Sequence, residues 1–251
     1  MQAIRFRRIR RRAPNRSIGG DVINVIVLTA VSLFMLLPFV YAVCNAFKPL
    51  DELFVFPPRF YVVHPTWDNF HDVFVLMSQS WVPFSRYIFN TLFITVLGVF
   101  GHLIIASLAA YAFAKHQFPG GNSLFGLVVL ALMFSGYVTS IPNYLIMSKI
   151  HWLDTYAALV VPALASPLGL FLMKQFMEQL PVSLLESARM DGAREFTVFL
   201  RIAMPNVKPA WLTLIIFSFQ DLWNMQGSNY IYSEELKTLP YALSQISTGS
   251  I

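Results

Sequence analysis

The chain has 251 residues, of which 56% are hydrophobic, 15% aromatic and only 12% charged. Soluble domains carry about 25% charged residues, so this composition excludes an ordinary water-soluble domain and indicates lipid as the main solvent. The net charge is +5, but the basic residues lie at the ends of apolar runs, as membrane topology requires, and we predict no nucleic-acid partner. The single Cys44 allows no internal disulfide, and we predict no metal site.

The N-terminal segment is strongly basic and long uncharged stretches follow it. Residues 1–21 hold seven Arg residues, and we interpret them as a cytoplasmic tail that contacts anionic lipid. A helix needs about 20 residues to cross the hydrocarbon core, and only helices satisfy their own backbone groups there. We therefore predict an all-α, polytopic membrane helix bundle, with a single transmembrane domain over residues 22–251. We predict at least one span within each of the uncharged runs Val22–Phe47, Tyr87–Ala114, His116–Ser148 and Thr155–Met173, and a fifth span from about Ala210 to Met225.

The positive-inside rule assigns the orientation of these spans. With a cytoplasmic N-terminus, thirteen of the 18 Lys and Arg residues fall in cytoplasmic segments and five in outer ones. This orientation predicts an outer loop over residues 45–86 and a cytoplasmic segment over about residues 175–209. Five spans would leave the C-terminus outside, where the small polar ending SQISTGSI resembles a loop. We therefore expect a sixth span beyond the end of this sequence.

The outer loop is rich in Pro, Asp and aromatic residues. Pro57-Pro58 and His64-Pro65 favour extended or turn backbone, and WDNFHDVF has the pattern of a short amphipathic helix. Two interpretations stay open. The loop is either a lid packed on the ends of the spans or a docking surface for an outer partner.

The stretch Glu186–Pro205, ESARMDGAREFTVFLRIAMP, carries six charged residues between two apolar runs; we call it the charged segment. Ser183 and Glu186 fit a capping box. Gly192 can end the first helix in a left-handed conformation, and a second helix is expected from about Ala193. Prolines near the end predict a break before the fifth span. The residues alone also fit an amphipathic hairpin lying on lipid.

The spacing of the charged segment carries a family resemblance. Glu186-Ser187-Ala188, then Gly192 after three residues and Ile202-x-Met204-Pro205 after nine more, is similar to the EAA loop of importer permeases in the ABC transporter superfamily. That loop reads EAA, three residues, G, nine residues, I-x-L-P. Ser187 and Met204 depart from it by small or volume-conserving changes. The stretches NTLFITVLGVFGHLIIASLAAYAFAKHQFPG, FMEQLPVSLLESARMDGA and FSFQDLWN also resemble carbohydrate permeases of the maltose type, over Phe47 to about Leu243.

The resemblance implies the fold of a type I ABC importer permease in the cytoplasmic (inner) membrane, with six helices in its core. It implies that the charged segment is a coupling helix held in a groove of a cytoplasmic ATPase. The contact would be formed by Glu186, Ser187, Ala188, Arg189, Asp191 and Gly192. The implied partners are a second permease subunit that completes a heterodimer, two ATP-binding subunits, an extracellular or periplasmic solute-binding protein and membrane lipid. The outer loop would help to dock the binding protein.

The chain is expected to be non-catalytic and to bind no cofactor. It contains no Gly-x4-Gly-Lys-Ser/Thr segment, the motif whose backbone cradles nucleotide phosphates. ATP and Mg are therefore expected on the partner ATPase. A membrane enzyme would need a clustered set of catalytic groups at one depth, whereas the five His residues are scattered along the chain, at positions 64, 71, 102, 116 and 151.

Polar groups inside a membrane are costly and are functional candidates by default. We predict a solute path that includes Gln220, Asp221, Trp223 and Asn224, because amides and carboxylates bind sugar hydroxyls and aromatic rings stack on sugars. Trp223 and Asn224 also match a Trp-Asn pair of the resembled family. The alternative is that Asp221 pairs with the partner permease or lies near the outer surface. His102, midway along the second predicted span, is expected to be a packing residue.

The favoured hypothesis is a permease subunit of an ATP-driven importer for a sugar or oligosaccharide, working by alternating access. A non-sugar solute is the first alternative. A self-sufficient secondary transporter is the second, but it would need intramembrane charges for ion coupling, and the spans offer almost only Asp221. The sequence shows no inverted repeat of the kind many such transporters contain.

Overall fold

A computed structural model describes residues 18–78, 82–227 and 229–247 of the chain, and these residues form helices and loops without strands. Most of the predicted basic tail, residues 1–17, lies outside the described residues, as do the last four positions. The all-α class is confirmed. The helices are α1 Ile18–Ala46, α2 Leu50–Leu53, α3 Asp68–Ser78, α4 Phe84–Lys115, α5 Gly121–Ala131, α6 Gly136–Lys149, α7 Ala157–Leu164, α8 Pro167–Glu178, α9 Val182–Met190, α10 Glu195–Val198, α11 Met204–Asn206, α12 Lys208–Trp223 and α13 Leu239–Ser247, with a π-helical turn at Phe199–Ala203 and a 3-10 turn at Glu234–Leu236.

The chain divides into two compact units, one up to Leu76 and one from Met77. In the first unit, α1 contains 28 residues, Gly19–Ala46, that are long and apolar enough to cross a membrane. Its apolar side chains are exposed on all sides. A helix that is apolar all round and not buried is typical of a membrane span, so the first predicted span is confirmed.

Side-chain hydrogen bonds hold the loop that follows α1. Lys48 is only 2% exposed, and its ammonium group donates hydrogen bonds to Asn45 Oδ1 at 2.9 Å and to the backbone carbonyl of Arg59. Glu52 accepts a hydrogen bond from the backbone N–H of Val63 at 2.7 Å. The loop therefore has a defined structure, and α3 confirms the short helix predicted from WDNFHDVF.

The second unit is built around α4. This helix packs along α7, α8 and α12, and the buried small residues Ala106 and Ala110 allow the neighbouring helices to approach closely. The core around these two alanines contains Tyr111, Met173, Met177, Leu180, Phe199, Ala203, Val207, Ala210 and Leu214.

The remaining predicted spans differ in shape. The second and fourth are confirmed as the apolar stretches Phe84–Lys115 and Ala157–Glu178, the latter with an interruption between α7 and α8. The third corresponds to α5 and α6, which meet at 110°, and the fifth to α12, which meets the preceding residues 195–206 at 81°. A run without charges predicts that a segment is long and apolar, but it carries no information on the direction of the chain within it.

A buried polar cluster ties the first turns of α4 to the segment after α12. Asn90, which is fully buried, donates hydrogen bonds to the carbonyl oxygens of Glu235 and Lys237, both at 2.8 Å. It accepts one from the Tyr156 hydroxyl at 2.7 Å. The Asn90 amide thus has three partners, which fixes the segment after α12 on the ends of α4 and α7.

Candidate functional site

The charged segment begins with α9, and its start differs from the prediction. The helix begins at Val182, preceded by Pro181 with φ −60° and ψ 131°. Ser183 is therefore already inside the first turn and cannot cap it, so the predicted capping box is wrong. The physical reason is the proline, whose fixed φ and missing N–H suit the residues just before and at a helix start.

The end of α9 agrees with the prediction. Gly192 has φ +82°, and its N–H donates to the Arg189 carbonyl at 3.0 Å. The N–H of Ala193 donates to the Ala188 carbonyl, also at 3.0 Å. These two bonds form a Schellman motif, which satisfies carbonyls that a helix end leaves unpaired. The next helix, α10, begins at Glu195, two residues later than expected.

One face of α9 is buried and the other is open. Leu185, Ala188 and Val198 form a small buried cluster. The predicted coupling residues Glu186, Ser187, Asp191 and Gly192 are exposed, Arg189 is half-buried and Ala188 is buried. Met190, four residues after Glu186 on the open face, is 87% exposed. A rigid helix with a mixed polar and apolar open face is suited to contact a protein surface.

Glu195 connects α9 to α4. Arg189 donates to it from Nε at 2.6 Å and from Nη2 at 3.3 Å, and the hydroxyl of Tyr111 donates at 3.1 Å. His116 Nε2 lies 3.7 Å from the same carboxylate. The hydrogen bond to Glu195 raises the pKa of Arg189 above its ordinary value. This two-pronged geometry holds the guanidinium in one orientation.

A second link joins the end of α4 to the residues before α9. The ammonium group of Lys115 donates to the carbonyl of Leu180 at 2.7 Å and to that of Glu178 at 3.4 Å. Sequence reasoning missed Glu195, Tyr111 and Lys115. The available signal was that Tyr111 and Lys115 lie one helical turn apart at the end of a span, on the side nearest to the charged segment.

A cavity of about 300 Å³ lies among α4, α6, α7 and α12. Two helix interruptions adjoin it, because Gly136 at the start of α6 and Ser166 between α7 and α8 both line it. Interrupted backbone inside a membrane is tolerated where it is buried in protein or lines a water-filled cavity. The lining residues are His102, Gly136, Thr139, Ser140, Asn143, Ala158, Leu159, Pro162, Ala163, Ser166, Ser218, Asp221, Leu222, Met225 and Tyr230.

The structure separates the four residues that were predicted for the solute path. Asp221 lines the cavity, on the same face of α12 as Ser218. Trp223 stacks instead on Phe219, with ring centroids 5.3 Å apart. The side-chain amide of Asn224 donates to the carbonyl of Gln220 at 2.8 Å, and these two residues and Trp223 are not among the cavity-lining residues. Helical periodicity explains this division, because positions 220, 223 and 224 share the opposite face.

His102 combines packing with a place in the cavity wall. Its side chain is buried, and Nδ1 lies 2.8 Å from the hydroxyl oxygen of Ser218. The ring packs against Gly169, where a Cβ atom would overlap Nε2 of His102 and lie 2.6 Å from Cδ1 of Leu214. The expected packing role fits this geometry, and Ser218 also lines the cavity.

Residues 19–226 match the family described as binding-protein-dependent transport system inner membrane component. The chain belongs to this family. It is 37% identical to Protein LplC of Bacillus subtilis over 209 residues, which cover 81% of this chain and 67% of that protein. It is 32% identical to the arabinooligosaccharides transport system permease protein AraQ of Bacillus subtilis over 225 residues, covering 86% and 77%.

The fold is also similar to a chain in the crystal structure of a bacterial ABC transporter involved in the import of the acidic polysaccharide alginate. The TM-score is 0.76 at 22% identity, and the match covers 94% of this chain and 83% of that one. The predicted fold of an ABC importer permease is therefore confirmed, and the chain is a membrane-embedded permease subunit of an ABC importer.

Proposed function

We propose that this chain forms half of the translocation path of an importer for a sugar or oligosaccharide, and that the charged segment couples it to a separate ATPase. The observation that carries the proposal is the construction of α9. Its open face presents Glu186, Ser187 and Gly192, while its end is fixed by the Schellman bonds at Gly192. A short helix fixed in this way transmits a displacement, whereas a flexible loop would absorb it.

The route from α9 into the membrane is short. A push on α9 reaches Glu195 through the two hydrogen bonds from Arg189 and reaches α4 through Tyr111. Lys115 adds a second connection to the backbone before α9. Because α4 packs along α7, α8 and α12, a displacement of its end moves the helices that line the cavity, as alternating access requires.

The proposed assembly contains this chain, a second permease in a heterodimer, two ATP-binding subunits and a solute-binding protein on the outer side. ATP and Mg belong to the ATP-binding subunits. The charge distribution supports a cytoplasmic N-terminus. This orientation places the charged segment on the ATPase side and the loop over residues 45–86 on the side of the binding protein.

Sugar as the solute class is supported by a relative and by the cavity. AraQ is named for arabinooligosaccharide transport. The cavity presents hydroxyl, amide and imidazole groups beside apolar walls, and about 300 Å³ is the lower end of the usual size for small-molecule sites. A non-sugar solute with several hydroxyl groups would use the same groups.

The experiment is a purification of the tagged chain in mild detergent after co-expression with its neighbouring genes. Gly192→Trp is compared with Gly120→Trp, because both glycines have positive φ, +82° and +83°, and no atom within 4 Å of a Cβ. The ATPase and the second permease are expected to co-purify with the parent chain. Only Gly192→Trp should lose the ATPase, and both variants should keep the second permease. A parent chain that purifies alone would contradict the proposal.

A further inference from the structure

The formal charge of the cavity lining is negative. Among the described residues that line it, Asp221 is the only acidic one, and none is Lys or Arg. The other polar groups are neutral hydrogen-bonding side chains, among them Asn143, Ser140 and Ser218. The lining therefore offers many partners for hydroxyl groups, one negative charge, and no lysine or arginine to balance it.

The position of Asp221 allows its carboxylate to interact with molecules that enter the cavity. Ser218 and Asp221 are one helical turn apart on α12, and both line the cavity. Ser218 is held by His102 at 2.8 Å, which fixes this side of the wall. The Asp221 side chain itself is exposed rather than packed into the core. A carboxylate on an apolar span is costly, so its presence indicates a function. A charge in a cleft with low-dielectric walls raises the local concentration of ions of opposite sign.

We propose that Asp221 makes this cavity a hydrogen-bonding site that admits uncharged or cationic polyhydroxyl solutes and excludes acidic ones. The proposal rests on the proposed function in taking the cavity as part of the solute path, and it narrows the solute class. A sugar acid entering the cavity would bring a second carboxylate close to Asp221, with no lysine or arginine in the lining to compensate. A neutral sugar or an amino sugar meets no such repulsion, and its hydroxyl or ammonium groups can donate to the carboxylate.

The test measures the electrostatic preference of the cavity with two small probes of opposite charge. Because Cys44 is the only cysteine of the chain, Ser140→Cys in a Cys44→Ser background places a single thiol at the cavity wall. Membranes from cells that express the chain together with its neighbouring genes are treated with cationic trimethylammonium-ethyl methanethiosulfonate or with anionic sulfonatoethyl methanethiosulfonate. Each modification rate is divided by the rate of the same reagent with 2-mercaptoethanol, which removes the intrinsic difference in reactivity.

The normalised rate for the cation should exceed that for the anion by about tenfold, the lower end of the effect of a charged cleft. Asp221→Asn should bring the ratio of the cation rate to the anion rate close to one. Asp221→Glu should keep the parent ratio, which would show that a substitution at this position does not by itself disrupt the cavity. Asp72→Asn, an exposed carboxylate in the first unit, should leave the ratio unchanged. The proposal is overturned if neither reagent reacts, if the ratio is close to one in the parent, or if Asp221→Asn does not change it.

The outcome is separable from that of the co-purification experiment. The thiol reaction needs no ATP and no knowledge of the solute. If the ATPase fails to co-purify but the ratio depends on Asp221, the proposed coupling fails and the cavity selectivity stands. If the ATPase co-purifies and the ratio does not depend on Asp221, only the selectivity fails.

Discussion

Arg189 and Glu195 form a two-pronged ion pair within the charged segment, with Nε 2.6 Å and Nη2 3.3 Å from the two carboxylate oxygens. The pair spans the left-handed turn at Gly192, so it holds the end of α9 next to the start of α10. Since Tyr111 of α4 donates to the same carboxylate, the ion pair also holds the segment on the end of a membrane helix. Within the proposed coupling to an ATPase, we propose that this ion pair positions α9 on α4.

Removing this charge should weaken coupling while leaving the complex assembled. Glu195→Gln loses the ion pair, and because the two side chains are 36% and 49% exposed, the stability cost should be below about 1 kcal/mol. The ATPase should still co-purify, but solute imported per ATP hydrolysed should fall by about threefold, a change of below about 1 kcal/mol in coupling. Uptake and ATP hydrolysis measured in parallel in proteoliposomes give this ratio.

Glu178→Gln is the matched control for that experiment. Glu178 forms an ion pair with Lys174 at 2.6 Å and is 43% exposed, so the same change removes a pair of the same length with a similarly exposed carboxylate. The variant retains the backbone carbonyl of residue 178, which accepts a hydrogen bond from Lys115. Equal losses of coupling in Glu178→Gln and Glu195→Gln would argue against a specific role for the Arg189–Glu195 pair.

The left-handed conformation of Gly192 gives a second prediction. A left-handed residue with a Cβ costs about 1 kcal/mol or more, and Asn tolerates this conformation better than Ala. Gly192→Ala should therefore loosen the turn, and trypsin cleavage after the flanking Arg189 and Arg194 should accelerate by about fivefold, the factor that corresponds to 1 kcal/mol of local opening. Gly192→Asn should be cleaved at close to the parent rate. Equal rates for the Ala and Asn variants would show that the left-handed turn is not what protects these sites.

The sequence predicted the first, second and fourth spans and the left-handed turn at Gly192, for physical reasons that are local. The absence of charge over about 20 residues is a property of consecutive positions, so α1 and α4 could be recognised directly. Gly192 was recognised because a helix that ends at Met190 needs a residue suited to positive φ just beyond it. The error at Ser183 is also local, since Pro181 was not weighed as the start of α9.

The contacts that assemble the site could not be predicted in this way. Tyr111 and Glu195 are 84 positions apart, and no pattern in either stretch indicates that they meet. The cavity depends on the bend between α5 and α6 and on which face of α12 points inward. For that reason Asp221 was grouped with three neighbours that lie on the opposite face.

The packing of His102 against Gly169 gives a third prediction. A methyl group at Gly169 would overlap the imidazole of His102 and approach Leu214, and overpacking of this kind costs about 1 to 3 kcal/mol. Gly169→Ala should lower the thermal unfolding midpoint of the purified complex. Adding His102→Ala should remove part of that loss, because the smaller side chain makes room.

Gly126→Ala is the control for the Gly169 variant. Gly126 also lies within a helix, α5, but no atom of the described residues is within 4 Å of a Cβ placed there. Since Ala is preferred over Gly inside helices by about 0.5 to 1 kcal/mol, this change should leave the midpoint unchanged or raise it. Additive effects of Gly169→Ala and His102→Ala would contradict a direct steric conflict between the two residues.

Asp154 gives the last prediction, on the segment after α12. Its carboxylate accepts a hydrogen bond from the Ser233 hydroxyl and from the backbone N–H groups of Ser233 and Tyr232, at 2.8 and 3.0 Å. The bond from the Ser233 hydroxyl, followed by those from the two backbone groups, lowers the pKa of Asp154 below its ordinary value of 3.8. Asp154→Asn keeps a residue that tolerates the φ of +59° found here but removes the charge, so hydrogen exchange at the Tyr232 and Ser233 amides should become faster.

The pH dependence follows from the direction of that pKa shift. A carboxyl group whose pKa is lowered by folding contributes stability that is fully present above its ordinary pKa and is lost as the pH falls through the lowered pKa. Protection of the Tyr232 and Ser233 amides, corrected for intrinsic exchange, should therefore be constant between about pH 7 and about pH 5. A loss of protection within that range, or equal protection in Asp154→Asn and the parent, would show that the charge of Asp154 does not hold this segment.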